Sequence, residues 1–143
     1  MPMSAQEHAI PLDVIERLRQ AQNRHDLDAF VACFAPDYDS EQPVHPARRF
    51  QGRDQVRQNW AEVFGGITDF RADLLAEAGT GDTSWAEWRW TGTHADGTPF
   101  HWRGVTLFGV REGLIAWGRL YMEPVEEAGV SIDETVRRMA TGA

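Results

Sequence analysis

The sequence predicts an α+β domain in which N-terminal helices cover one face of a twisted antiparallel sheet. In the first half of the chain, apolar residues recur at intervals of three and four, which is the period of a helix. From about residue 69 onward they alternate with a period of two, as in strands. These later segments are separated by GTGD, ADGT and REG, which supply the Gly and Asp residues that hairpin turns need. Helices followed by strands in 143 residues indicate a single α+β domain.

Three helices are predicted before the sheet. The first covers PLDVIERLRQAQNRHD, where Pro11 suits a first turn and one apolar stripe is formed by Val14, Ile15, Leu18 and Ala21. Asp26 is a favourable N-cap for a second helix, LDAFVACFA, which Pro36 closes. A third helix covers RDQVRQNWAEVF and stops at two glycines, with an inward face of Val56, Trp60, Val63 and Phe64.

The strands follow, and the chain closes with a short helix. DYDSEQPVHPARRFQG predicts a short strand that leads into a loop, and four longer strand candidates form a meander: DFRADLLAEA, TSWAEWRWTGTH, PFHWRGVTLFGV and LIAWGRLYMEP. Ser131 and Glu134 have the spacing of a capping box, which predicts a helix in the last residues. We therefore expect a flexible tail over residues 1–10, a domain over 11–126 and a C-terminal tail over 127–143 that contains this helix.

Composition excludes several classes of function. The net charge is −8 and every basic residue apart from histidine is an arginine, so nucleic acid is not expected as a partner. The apolar runs are too short to span a membrane and the N-terminus lacks the features of a signal peptide, so we expect a cytoplasmic location. Cys33 is the one cysteine, so it cannot form an intramolecular disulfide, and we expect it to be buried. The sequence contains neither a cofactor fingerprint nor metal-ligand spacing, so no cofactor or metal is expected.

The order of several motifs between residues 12 and 125 resembles the nuclear transport factor 2-like superfamily, in its SnoaL-like, polyketide cyclase-like branch. The motifs are HDLDAFVACFAPDY, EQPVHP, FQGRDQVRQNW and REGLIAWGRLYMEP. The resemblance implies a cone-shaped, curved antiparallel or mixed sheet wrapped around the helices, with a blind pocket inside and a homodimer interface on the convex side. Members include cofactor-free isomerases, epoxide hydrolases and cyclases, and also proteins that only bind or dimerise.

The resemblance also assigns the two faces of the strand TSWAEWRW, which periodicity alone leaves open. It implies that Glu87 and Arg89 lie on the concave side, together with His101. A substrate pocket is then expected from the short strand and loop after the second helix, the third helix and the last strands, namely Tyr38, Ser40, Gln42, Trp60, Arg103, Val105, Leu120 and Met122. The convex side would carry the aromatic residues of a dimer interface, namely Trp88, Trp90, Trp102, Trp117 and Tyr121.

Two functions follow from this assignment. In one interpretation, Arg89 holds Glu87 ionised, and Glu87 and His101 transfer protons in a cofactor-free cyclase, isomerase, dehydratase or hydrolase acting on a small, apolar, oxygenated molecule. In the other, these charged groups form structural ion pairs and the protein is a non-catalytic ligand-binding or dimerisation module. Ketosteroid isomerisation is not expected, because the base and the two oxyanion donors of those enzymes match Gln42, Leu18 and Val105.

Overall fold

The computed structural model describes the backbone of residues 5–142 and the side-chain environment of residues 11–142. The helices are α1 (Ala5–Arg24), α2 (Leu27–Val31), α3 (Arg53–Gly66) and α4 (Ile132–Thr141), and a short 3-10 turn spans Pro46–Arg48. The strands are β1 (Phe34–Glu41), β2 (Phe50–Gln51), β3 (Arg71–Thr80), β4 (Thr83–Thr93), β5 (Pro99–Arg111) and β6 (Leu114–Pro124). The predicted α+β class is confirmed.

All six strands belong to one open sheet in the order β2-β1-β6-β5-β4-β3. The meander from β3 to β6 is antiparallel as predicted, whereas β1 runs parallel to β6 at the other end. The β5–β6 hairpin turns through Glu112 and Gly113, which both have positive φ angles. A single core joins α1, α2 and α3 to the concave side of this sheet.

Three helix boundaries differ from the prediction, and one of them is the end of α3, which includes the two glycines that were expected to stop it. The helix α1 begins at Ala5, so Pro11 lies inside it and residues 5–10 of the predicted tail are helical, while residues 1–4 fall outside the described part. The helix α2 is capped by Asp26, whose carboxylate accepts from the Ala29 amide at 3.1 Å, but it ends at Val31. Phe34 is paired with Ile115 of β6 and so belongs to β1. Sheet pairing thus overrides the helical period in the second half of LDAFVACFA.

The face assignment of β4 and β5 is wrong. Trp88 is 1% exposed and points to the helices, whereas Trp85 on the opposite face is 42% exposed. Glu87 lies opposite Val105 and Arg89 lies opposite Arg103, so all four share the outer, convex face. The β6 assignment was correct, because Met122 is buried on the concave side.

A bulge in the β5–β6 hairpin explains this error. Val110 pairs with Ile115, whereas Gly109, the residue before Val110 in β5, pairs with Trp117. Ala116 is therefore an extra residue in β6. Because successive side chains of a strand alternate between faces, one extra residue reverses β5, and with it β4, relative to β6.

The C-terminal helix α4 forms as predicted. The Ser131 hydroxyl accepts from the Glu134 amide at 3.3 Å. Its apolar side chains Ile132, Val136 and Met139 are exposed. Within residues 5–142, none of the helices combines the length and apolar character needed to cross a bilayer.

Candidate functional site

A cavity of about 200 Å³ lies between the helices and the concave face of the sheet. Leu18 and Gln22 of α1 and Val56, Asn59, Trp60 and Val63 of α3 form its helical side. The strands β1, β4, β5 and β6 supply the opposite wall. Asn59 is exposed, whereas Gln22 and Tyr38 are buried, so the cavity extends from an opening beside α3 into the interior.

Aromatic residues are the most frequent kind of side chain in the cavity wall. Nine of the nineteen lining residues are aromatic, namely Phe30, Phe34, Tyr38, Phe50, Trp60, Trp88, Trp90, Trp102 and Phe108. Trp60 lies at the centre of this group, because its ring is 4.5 Å from Phe30 and 5.4 Å from Trp90 between centroids. Trp90 in turn stacks with Trp102 at 6.4 Å. Edge-to-face and stacked packing of this kind fixes the rings and leaves a rigid, apolar wall.

Tyr38 places a neutral hydroxyl at the β1 side of the cavity. Burial raises the pKa of Tyr38 to about 12, and a hydrogen bond with the Ser40 side chain acts in the opposite direction. Gly118 of β6 makes room for this hydroxyl, because a Cβ at that position would lie 2.5 Å from the Tyr38 oxygen. Tyr38 is therefore protonated at neutral pH and can donate a hydrogen bond, but it cannot act as a base.

Most of the other polar side chains in the wall are already paired. The Trp88 indole donates to the Thr106 hydroxyl at 2.9 Å. The Gln42 carbonyl accepts from Arg48 at 2.9 Å, and the Asn59 carbonyl accepts from a neighbouring glutamine of α3 at 2.8 Å. These bonds fix the orientation of the three side chains.

Two lining residues have a buried polar atom without a partner. In the part of the chain that the structure describes, neither Gln22 Oε1 nor Trp90 Nε1 forms a hydrogen bond. Gln22 is 2% exposed and lies one helical turn after Leu18, on the buried stripe of α1. Sequence reasoning missed Gln22, although a polar residue on an apolar stripe was the available signal.

The cavity contains most of the predicted pocket residues and several that were assigned elsewhere. Six of the eight line it, namely Tyr38, Ser40, Gln42, Trp60, Leu120 and Met122. Arg103 and Val105 were misplaced, since they lie on the outer face. Three of the predicted dimer-interface residues, Trp88, Trp90 and Trp102, line the cavity instead. Trp117 and Tyr121 are on the outer face, as predicted.

The predicted catalytic groups lie outside the cavity. Glu87 accepts a hydrogen bond from Arg103 at 3.1 Å, and Arg89 donates to Asp73 at 3.4 Å, so the expected Glu87–Arg89 pair is replaced by two cross-strand pairs. His101 Nδ1 lies 2.9 Å from a carboxylate oxygen of Glu127. Within the described residues, the cavity wall contains no Asp, Glu, His, Lys or Arg.

The outer face of the sheet carries a second feature, which we call the outer patch and define by Trp85, Val105, Leu107, Trp117 and Tyr121. Trp85 and Tyr121 are exposed, and the other three are partly buried. The Trp117 ring occupies the space above Gly109, and the Arg119 guanidinium lies 4.8 Å from the Trp117 ring centroid. The patch is flanked by the cross-strand ion pairs described above.

Other kinds of site find little support. Cys33 is buried as expected, and burial raises the pKa of its thiol. Across residues 5–142, no three His, Cys, Asp or Glu side chains converge in a way that could hold a metal ion. The cavity is therefore the site around which function is best considered.

Comparison with known proteins agrees with this architecture. The model of the SnoaL-like domain matches residues 15–117, so the chain belongs to the SnoaL-like domain family. No curated protein matches the sequence.

Solved structures share the fold at low sequence identity. A candidate SnoaL-like polyketide cyclase from Jannaschia sp. CCS1 is 18% identical with a TM-score of 0.72, over 86% of this chain and 92% of the other. An epoxide hydrolase from M. tuberculosis is 17% identical with a TM-score of 0.71, over 82% of this chain and 85% of the other. IdmH, a candidate polyketide cyclase from Streptomyces antibioticus, is 23% identical with a TM-score of 0.70, over 79% and 91%. The fold is thus the nuclear transport factor 2-like cone, as predicted, and it hosts more than one chemistry.

Proposed function

We propose that this protein binds a small, electrically neutral, largely aromatic molecule in the cavity. The observation that carries the proposal is the composition of the wall, in which nine residues are aromatic and, among the described residues, none is a charged side chain. A charged ligand would lose its hydration here without gaining a counter-ion, which costs several kcal/mol or more. The names of the similar structures, polyketide cyclase and epoxide hydrolase, also fit organic ligands of this kind.

The size of the cavity limits the ligand. A volume of about 200 Å³ is smaller than that of pockets for drug-sized ligands, which typically measure about 300–1,000 Å³. A fused bicyclic compound suits this space better than a steroid. The rigid aromatic wall favours a flat molecule, because flat rings can stack on it without moving Trp60 or Trp90.

Binding is a better description of the site than acid–base catalysis. A general base must reach the proton that it removes, and Glu87 and His101 are on the other face of the sheet. The titratable group in the wall, Tyr38, has a pKa raised to about 12 and therefore acts as a hydrogen-bond donor. Any reaction in the cavity would rest on polarisation of a ligand oxygen by this hydroxyl. The ligand-binding alternative considered from the sequence is thus the one we adopt.

The test is a binding measurement with a cavity-filling variant. Tetralin, a neutral bicyclic hydrocarbon, is titrated into the wild-type protein and into Leu120→Trp, which places an indole in the cavity. Ile132→Trp is the matched control, since residue 132 is 74% exposed on α4 and its substitution adds the same chromophore. We expect saturable quenching of tryptophan fluorescence for wild type and control, and at least a tenfold weaker affinity for Leu120→Trp. Equal affinities in all three proteins would refute binding in the cavity.

We further propose that the outer patch is the interface of a homodimer. A contiguous surface with exposed Trp85 and Tyr121 around half-buried Leu107 is unusual on a monomer. Its flanking charges are neutralised within each chain, by the Glu87–Arg103 pair for example, so two copies can approach despite a net charge of −8 each. A two-fold dimer would bury each patch against its own copy.

Sedimentation velocity tests the homodimer. We expect a dimer of the wild-type chain at micromolar concentration, a monomer for Trp85→Arg, and a dimer for the conservative control Trp85→Phe. A monomeric wild-type protein would contradict the proposal.

A further inference from the structure

The unpaired polar atoms of the cavity point to the chemistry of its ligand. Gln22 Oε1 can only accept a hydrogen bond and Trp90 Nε1 can only donate one. We propose that Gln22 and Trp90 are the specificity-determining residues of the cavity and select a ligand that has one hydrogen-bond donor and, separately, one acceptor. This inference rests on the proposed function and names the polar groups that the aromatic ligand must carry.

Burial at Gln22 makes the unpaired atom significant. Buried polar groups in native proteins are almost always paired, because an unpaired one loses its hydration without compensation. Gln22 is 2% exposed and lines the cavity, so a group that enters the cavity can supply the missing donor. A ligand hydroxyl or amine would do so.

The two residues are held on neighbouring parts of the framework. Asn23, next to Gln22, binds the backbone of Ala72 twice, donating to its carbonyl at 2.9 Å and accepting from its amide at 2.7 Å. Ala72 of β3 is the cross-strand partner of Trp90. The end of α1 is therefore locked to the strand pair that carries Trp90, and the unpaired acceptor and donor keep a constant separation.

The Trp90 ring has little freedom to turn away from a ligand. It packs edge-to-face on Trp60 at 5.4 Å, stacks on Trp102 at 6.4 Å and lies 5.9 Å from Phe70. A fixed indole N–H discriminates between ligands by position, because it bonds only an acceptor placed along its direction. Carbonyl, hydroxyl and ether oxygens qualify as acceptors.

The other polar groups of the wall are less suited to this role. The Trp88 indole already donates to Thr106. The Tyr38 hydroxyl can both donate and accept a hydrogen bond, so it does not discriminate between a donor and an acceptor on the ligand. The ligand class that fits the cavity is therefore a neutral aromatic ketone or ester that also bears a hydroxyl or amino group. A hydrocarbon would fill the cavity but leave both unpaired atoms without partners.

Three bicyclic probes of nearly equal size test this inference: tetralin, 1-tetralone and 6-hydroxy-1-tetralone. Tetralin carries neither group, 1-tetralone carries the hydrogen-bond acceptor alone, and 6-hydroxy-1-tetralone carries both the acceptor and a hydroxyl donor. Calorimetric titration of the wild-type protein should show affinity rising about five- to tenfold at each step, as expected for one neutral hydrogen bond each.

Two variants assign each step to its residue. Gln22→Met should abolish the gain in affinity from the hydroxyl and keep the gain from the ketone. Trp90→Phe should abolish the gain in affinity from the ketone and keep the gain from the hydroxyl. The readout is the ratio of affinities between the probes within each variant, because either substitution also changes the wall on which tetralin packs.

The outcomes separate the two proposals. Binding of all three probes with equal affinity, or a hydroxyl preference that survives in Gln22→Met, would overturn the specificity assignment and leave cavity binding standing. Failure of the wild-type protein to bind any of the probes would overturn cavity binding itself, and the specificity assignment with it.

Discussion

Replacing Gln22 with methionine should stabilise the unliganded protein. The substitution removes a buried carbonyl that has no partner within the described residues, which recovers about 1–3 kcal/mol. Methionine has a similar length and shape and a similar helix propensity, so it should create neither a cavity nor a weaker helix. We therefore expect the free energy of unfolding to rise by about 1–2 kcal/mol, which corresponds to a Tm increase of roughly 2–8 °C in a domain of this size.

Urea denaturation followed by tryptophan fluorescence measures this change. The protein is first unfolded and refolded to remove any bound small molecule, because a ligand would stabilise the wild type selectively. The control is Gln20→Met on the same helix, where the side chain is exposed and donates to Glu16 at 3.2 Å. That control should change stability by less than about 0.5 kcal/mol. A Gln22→Met protein that unfolds at lower urea than the wild type would show that the amide is paired and would refute the reasoning.

Three further predictions address the outer face, the tyrosine and the β5–β6 pair. Glu87→Gln breaks the ion pair with Arg103, which lies on the opposite face of the sheet from the cavity. The affinity for tetralin should therefore stay within about twofold of wild type. A tenfold loss of affinity in the titration would contradict the corrected face assignment. The pKa of Tyr38, raised to about 12 by burial, implies that folding favours the protonated phenol. The resulting stability is present below about pH 10 and is lost as the pH rises towards 12. In an ultraviolet titration of the tyrosines, Tyr38→Phe should therefore remove the phase that ionises at the highest pH. If that phase remained in the variant, it would belong to a different group. Gly109→Ala places a methyl group against the Trp117 indole and should destabilise the protein by about 1–3 kcal/mol in a thermal melt, whereas an unchanged Tm would mean that the ring moves freely.

The fold was predictable because the relevant signals are local and repeated. The helical stripe of α1, the capping box of α4 and the hairpin residues of the meander each predict an element that the structure contains. The end of α2 was not predictable in this way, because Phe34 has helical spacing in the sequence but pairs with Ile115, which is distant in the chain.

The cavity was predictable in part. The residues expected on the β1 side, on α3 and on β6 line the cavity. The sequence prediction exchanged the inner and outer faces of β4 and β5. The residues of these strands alternate equally regularly in either orientation, and the bulge at Ala116 leaves no clear mark in the sequence. Gln22 was missed because its importance lies in the hydrogen bond that it does not form, and only packing reveals it.

The extra residue in β6 has a consequence for protein engineering and for comparison within the family. Deleting Ala116 from a hairpin that kept its pairing would leave Val110 opposite Ile115 and Gly109 opposite Trp117, so β6 would alternate regularly and every side chain would keep its face. Such a deletion would remove only the extra twist that a bulge gives to a strand, and it would test whether that twist is needed for the shape of the cavity. Alignments that place a gap away from Ala116 will equate lining positions of β6 with surface ones.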